Sequence, residues 1–364
     1  MQFMWYTTAE QLRDHLPLTD RQVREIQAVA DRYPMRITDY YLGLVDPADP
    51  NDPIGKMCIP APIEEDEGGS FDTSGELSNT KIPGLQHKYR QTAMVLTTNR
   101  CAMYCRHCFR KRLVGAADEE IARNFDRIIA YVRDHPEITN VLLSGGDAFM
   151  NSNETVERYL EALTGIGHLQ YIRFGTRVPV TWPRRVDREL CMILAQYSRK
   201  KPIYVVTQFN HPREITPASA ATVAALRGAG CGVRNQTVLL RGVNDDPQVL
   251  SELLLRLPGI GVAPYYLFQC RPVTGVKHSF QVPMAEGVAI YEDAKRTLSG
   301  LDKTAKYCLS HPEGKLEILH AFENGELLLR FHEARDPRNC GRMIRQAPTP
   351  DGCWLPETLT AERW

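Results

Sequence analysis

TAMVLTTNRCAMYCRHC, residues 92–108, decides how this chain is read. Its first seven residues are apolar or β-branched, the pattern of a strand buried on both faces. The loop after it carries Cys101, Cys105 and Cys108, a C-x3-C-x2-C set. Three thiolates in one loop can hold three irons of a 4Fe–4S cube and leave the fourth iron open to a small chelating molecule. The alternative is structural zinc, which wants four ligands, usually as paired C-x2-C units. His107 could be the fourth, but it lies inside the loop, where its direction is constrained. Spacing and loop position favour the cube.

Outward from this loop, short apolar runs alternate with helix-like stretches. The strand candidates are 92–98, 140–146, 171–176, 203–209, 233–240 and 263–269. The helical stretches are 119–135, 155–166, 186–198, 219–230 and 247–257. Such alternation predicts an α/β chain: a parallel sheet covered on its faces, built as a partial (β/α)6 barrel. Its chemistry belongs at the C-terminal ends of the strands.

Residues 1–90 read as an N-terminal helical and wrapping arm. Thr8 or Thr19 can cap its helices, and 45–79 is a long segment rich in Pro, Asp, Gly and Ser. Residues 91–300 form the barrel. Residues 301–364 form a β-containing extension, with a hairpin expected at Asn324-Gly325.

The 364 residues include 43% apolar and 24% charged residues, enough for a large core. Lys+Arg and Asp+Glu are both 44, which removes the main argument for a nucleic-acid or anionic-membrane partner. Mean hydropathy is −0.34 and no apolar run reaches bilayer length. No signal peptide is visible, and the expectation is a cytoplasmic protein. Seven of the ten cysteines are scattered singly, as buried apolar side chains in a reducing compartment would be. Among these, Cys340 and Cys353 could join a structural metal but read better as ordinary thiols.

The cysteine loop after the first strand resembles the radical S-adenosylmethionine (SAM) superfamily. Longer stretches narrow the match: DYYL (39–42), DPNDPI (49–54), PGLQHKY (83–89), MYCRHCFRKR (103–112), LSGGDA (143–148), QFNHPREIT (208–216) and NQTVLLRGVND (235–245). Together they resemble the lysine 2,3-aminomutase family over residues 35–315. The resemblance implies an isomerase with three cofactors: a 4Fe–4S cluster on Cys101, Cys105 and Cys108, SAM on its open iron, and pyridoxal phosphate (PLP). It also implies an amino acid substrate, a flavodoxin- or ferredoxin-type electron donor and a homo-oligomer.

Site roles follow from the same likeness. His107 matches a position against the SAM adenine. Ser144, Gly145, Gly146 and Asp147 match the seat of the methionine amino group, where two glycines would let backbone approach a ligand. Arg177 could fork the methionine carboxylate, though a structural ion pair is nearly as good a reading. Gln208, Asn210, His211, Asn235 and Gln236 are polar groups on core-like strands that need partners, in SAM, in substrate or in the core itself. Lys315, in HPEGK (311–315), resembles the Schiff-base lysine, although the family's glycine-rich run is two residues shorter here and interrupted by Glu313. Lys88 matches a basic position near the PLP phosphate. A second such position falls on Thr92, for which Arg90 could substitute. Arg110 resembles the clamp for the substrate α-carboxylate, with Lys111 and Arg112 expected in solvent.

The side-chain pocket departs from lysine-specific members, which set two aspartates against the substrate ammonium. The matching positions here are Arg271 and Ser310. A guanidinium reverses the field, so an anionic or acceptor-bearing amino acid such as glutamate is expected in place of lysine. Two other readings stay open on the sequence: a PLP-independent radical SAM enzyme, and a non-catalytic Fe–S or zinc protein.

Overall fold

The computed structural model describes residues 5–116, 119–359 and 362–363. One thirteen-stranded sheet runs through it, and its strands lie side by side in chain order. They are β1 (Thr80–Ile82), β2 (Leu85–Tyr89), β3 (Thr92–Thr98), β4 (Asn140–Gly145), β5 (Tyr171–Gly175), β6 (Ile203–Thr207), β7 (Gly232–Leu239), β8 (Ala263–Gln269), β9 (Lys306–His311), β10 (Gly314–Ala321), β11 (Leu327–Ala334), β12 (Met343–Gln346) and β13 (Glu362–Arg363). β3 to β9 are parallel; the strands outside them pair antiparallel. The parallel set therefore holds seven strands, one more than the six expected, because β9 pairs with β8. The sheet passes residue 300 without a break.

The crossovers carry α2 (Phe125–Asp134), α3 (Asn153–Thr164), α4 (Arg188–Ser198), α5 (Pro217–Gly228), α6 (Pro247–Gly259) and α7 (Met284–Lys295). α1 (Asp20–Arg32) lies in the arm. Their starts are written locally. Ser152, Asp187, Thr216 and Asp246 accept first-turn N–H groups, and Pro217 and Pro247 occupy first-turn positions where no N–H is needed. Thr19 and Gln22 form a reciprocal capping box on α1. α2 begins six residues later than expected from 119. Ala122 N donates to Leu96 O and Glu120 pairs with Arg112, so this stretch is tied to the cysteine loop before helix can start.

Apolar side chains of β3 to β7 meet Ile128, Leu160, Leu190, Leu194 and Val223 of the helices in the main core. A second core joins Leu239, Leu267, Ile290 and Tyr307 to Leu316 and Leu329 of the C-terminal strands and to Trp354 in the loop after β12. The Asn324-Gly325 hairpin forms as expected between β10 and β11, with Gly325 at φ +85°. Among the described residues no helix is long and apolar enough to cross a membrane.

Candidate active site at the open ends of the parallel strands

The cysteine loop leaves β3 and is braced by the end of β4. Gly146 N donates to Thr98 O at 2.6 Å, and Asp147 N to Arg100 O at 2.8 Å. A Cβ on Gly145 would strike Thr98 O, and one on Gly146 would strike Arg100 O; Gly145 also has φ +114°. The two glycines thus allow close approach to the cysteine loop itself. Asp147 is buried and spent on backbone, accepting from Phe149 N and Arg177 N. Burial raises its pKa.

Burial and the neighbouring thiols push Cys101 up, and Cys108 to about 11. A cation among these sulfurs would reverse that preference. Among the described residues no three His, Cys, Asp or Glu side chains converge as around a single metal ion. A cube takes three thiolates from one loop, whereas structural zinc wants four ligands, usually as paired C-x2-C units.

His107 lies within this loop. Gln208 Nε2 and Asn210 Nδ2 approach its Nε2 at 3.0 and 3.3 Å. Two donors at Nε2 put the ring proton on Nδ1, and Nδ1 is buried with no partner. Burial, then Arg177 and Lys111, hold the ring neutral. An orphaned donor beside the cysteine loop fits an acceptor-bearing ligand. Gln208 and Asn210 therefore converge on His107. Asn235 does not: it accepts from Phe209 N and donates to Phe209 O, a satisfied bridge between strands. Gln236 faces the other side of β7, half-buried. His211 Nδ1 caps the turn Pro212–Glu214.

Arg177 is not a free fork. Its Nη2 meets Glu214 Oε1 at 2.5 Å, its Nη1 donates to Cys105 Sγ at 2.9 Å, and its Nε donates to Gln208 O at 3.0 Å. The ion-pair reading is the one realised.

The arm contributes two carboxylates that sequence reasoning did not single out. Glu64 takes Arg106 at 2.6 Å and Lys111 at 2.5 Å, all three buried. Glu76 takes Arg110 at 3.0 Å and Arg112 at 2.7 Å. Lys111 and Arg112 are therefore paired inside, not solvated as expected. The available signal was the basic run 106–112 itself, which needs counter-ions once its loop is buried. Despite burial, Arg110, Arg271 and Arg112 hold the Glu76 carboxyl at about 2.

Beyond Glu76 lies the cluster of charged side chains that includes the candidate PLP lysine. The shortened HPEGK stretch is a tight hairpin: His311 pairs with Gly314 and Ser310 with Lys315. Lys315 is a strand residue, mostly buried, paired with Glu333 and 4.5 Å from the Tyr266 ring centroid. Arg271 turns inward, donating to Ser74 Oγ at 2.8 Å. Lys88 donates to His311 O at 2.5 Å and Ser74 O at 3.2 Å. Burial, with Arg271 and Lys315 nearby, lowers Lys88 to about 7. Arg90 stays exposed at the β2–β3 turn, outside this cluster, and Thr92 bonds Asn140. Cys340 is exposed and Cys353 half-buried near the C-terminus.

Residues 95–254 match the model of the radical SAM superfamily. The L-lysine 2,3-aminomutase of Clostridium subterminale is 40% identical over 80% of this chain and 70% of its own. That of Bacillus subtilis is 35% identical over 97% of this chain and 74% of its own. The glutamate 2,3-aminomutase of Clostridioides difficile is 37% identical over 85% of this chain and 72% of its own. With the cysteine loop, the parallel sheet and these relatives in agreement, the chain belongs to the lysine 2,3-aminomutase family of radical SAM enzymes, isomerases that use a 4Fe–4S cluster and SAM.

Proposed function

We propose that this chain is a PLP-dependent 2,3-aminomutase whose substrate carries an anionic or acceptor-bearing side chain, glutamate in character and not lysine. The observation that carries the reading is the inward Arg271. Together with Arg110 and Arg112 it faces the single carboxylate of Glu76. Arg112 also pairs with Glu120, so three guanidiniums against two carboxylates leave one positive charge in excess, which suits an anionic substrate side chain. A lysine ammonium in the same dry pocket meets repulsion of about several kcal/mol.

When bound, the cluster and SAM supply a 5′-deoxyadenosyl radical, and PLP supplies the conjugated system that carries the migrating amine. The chain's own residues hold and orient. Cys101, Cys105 and Cys108 take three irons. His107 offers its unpaired Nδ1–H to an acceptor on SAM. Arg110, between Glu76 and Ser144, receives the α-carboxylate. Lys315 supplies the amine that anchors PLP, while Lys88 adds a donor for an anionic group beside it. Ser310, across the rung from Lys315, leaves room where a lysine-specific pocket has a carboxylate. A flavodoxin- or ferredoxin-type electron donor and assembly as a homo-oligomer belong to the same reading.

The test is turnover of glutamate and of lysine by anaerobically reconstituted protein with SAM, PLP and dithionite. Formation of the β-amino acid from glutamate supports the reading; efficient lysine conversion without glutamate conversion overturns it. Borohydride reduction followed by peptide mapping is expected to fix PLP on Lys315. An unmodified Lys315 would leave a PLP-independent radical SAM enzyme as the better account.

A further inference from the structure

Glu214 lies at the centre of a buried network that touches the cysteine loop through one arginine. Its side chain is fully buried. Oε1 accepts from Tyr41 OH at 2.5 Å and from Arg177 Nη2 at 2.5 Å. Oε2 accepts from Asn210 N at 2.6 Å and His211 N at 3.1 Å. Four donors on one carboxylate fix it in place. Arg177 is in turn locked at Nε by Gln208 O, which leaves Nη1 aimed at Cys105 Sγ, 2.9 Å away. The partners come from three distant parts of the chain: Tyr41 from the arm, Arg177 after β5 and Glu214 after β6.

We propose that Arg177 is a positioning residue that sets the reduction potential of the cluster through its N–H···S contact to Cys105, and that Glu214 and Tyr41 set the strength of that contact. This rests on the assignment of Cys105 as a cluster ligand. Reduction adds one electron to the cube and raises the negative charge on its sulfurs. A cationic donor on a ligand sulfur stabilises that reduced form, and a carboxylate behind the donor opposes it. The two residues therefore act with opposite sign. Removing the guanidinium makes the cluster harder to reduce, and neutralising Glu214 makes it easier. A purely structural pair would give no such opposition, because loss of either partner would loosen the same contact.

The experiment is a potentiometric titration followed by electron paramagnetic resonance, on full-length protein reconstituted with iron and sulfide. At the wild-type midpoint, Arg177→Gln is expected to lower the reduced-to-oxidised ratio about tenfold. Glu214→Gln, nearly isosteric, is expected to raise it. Tyr41→Phe removes one donor from Glu214, strengthens its hold on Arg177 and shifts the ratio downward by less. Equal midpoints in all four proteins, or Arg177 and Glu214 shifts of the same sign, overturn the proposal. Should Arg177→Gln assemble no cluster, Glu214→Gln and Tyr41→Phe decide it alone by their opposite signs. Wild-type protein that takes up no iron and sulfide would overturn the cluster assignment itself, and the proposal with it. Normal cluster content with unmoved midpoints would overturn the proposal only.

Discussion

The Arg271 guanidinium lies over the ring of Phe109, 4.2 Å from its centroid. Phe109 directly follows the third cluster cysteine, so the residue proposed to select the substrate side chain is stacked on the loop proposed to hold the cluster. Stacking of a weakly hydrated, delocalised cation on an aromatic face keeps it inside without a dedicated carboxylate. The proposed selector and the cysteine loop are thus in direct contact.

Replacing that cation tests the pocket directly. Arg271→Asp reverses the charge at this position. Glutamate turnover is expected to fall about a hundredfold and lysine turnover to rise about tenfold, since the reversed field acts in a desolvated site. The check is kcat/KM for both amino acids. An unchanged preference would remove Arg271 from substrate selection.

Glu64 holds two buried cations, Arg106 and Lys111, at once. Glu64→Gln leaves two buried cations without their counter-ion, at about 3 kcal/mol, and is expected to lower the melting midpoint by roughly 4 °C. Glu25→Gln, in the exposed Arg21–Glu25 pair of α1, is expected to leave the midpoint unmoved. Anaerobic calorimetry of both variants separates the cases.

Lys88 gives the apo-protein a pH signature. Its folded pKa is about 7 against an ordinary 10.5, with burial as the main cause. Between those values the unfolded chain binds a proton that the folded chain does not, so this contribution makes stability rise with pH from about 7 to 10.5. Below 7 both states are protonated and it is flat. Urea unfolding at pH 7.5 and 9.5 is expected to show a steeper gain for wild type than for Lys88→Met. Parallel pH dependence in the two proteins would show that Lys88 stays charged in the fold.

The alternation of strand and helix, the cysteine spacing and the helix caps are local patterns, legible because each depends on residues within one or two turns of chain. They were enough for the parallel sheet and the cysteine loop, while Lys315, Arg271 and His107 stand out only through the resemblance to the family. Partners were not legible. Tyr41 meets Glu214 across 173 positions, Arg177 meets Cys105 across 72, and Glu64 meets Arg106 across 42. Any buried cation demands an anion, but which one answers depends on the path of the arm over the loop. Asn235 and Arg177 leave ligand contact and internal pairing equally open on the sequence for the same reason: a polar group in the core declares a need, and only the folded neighbours decide whether the protein itself has already met it.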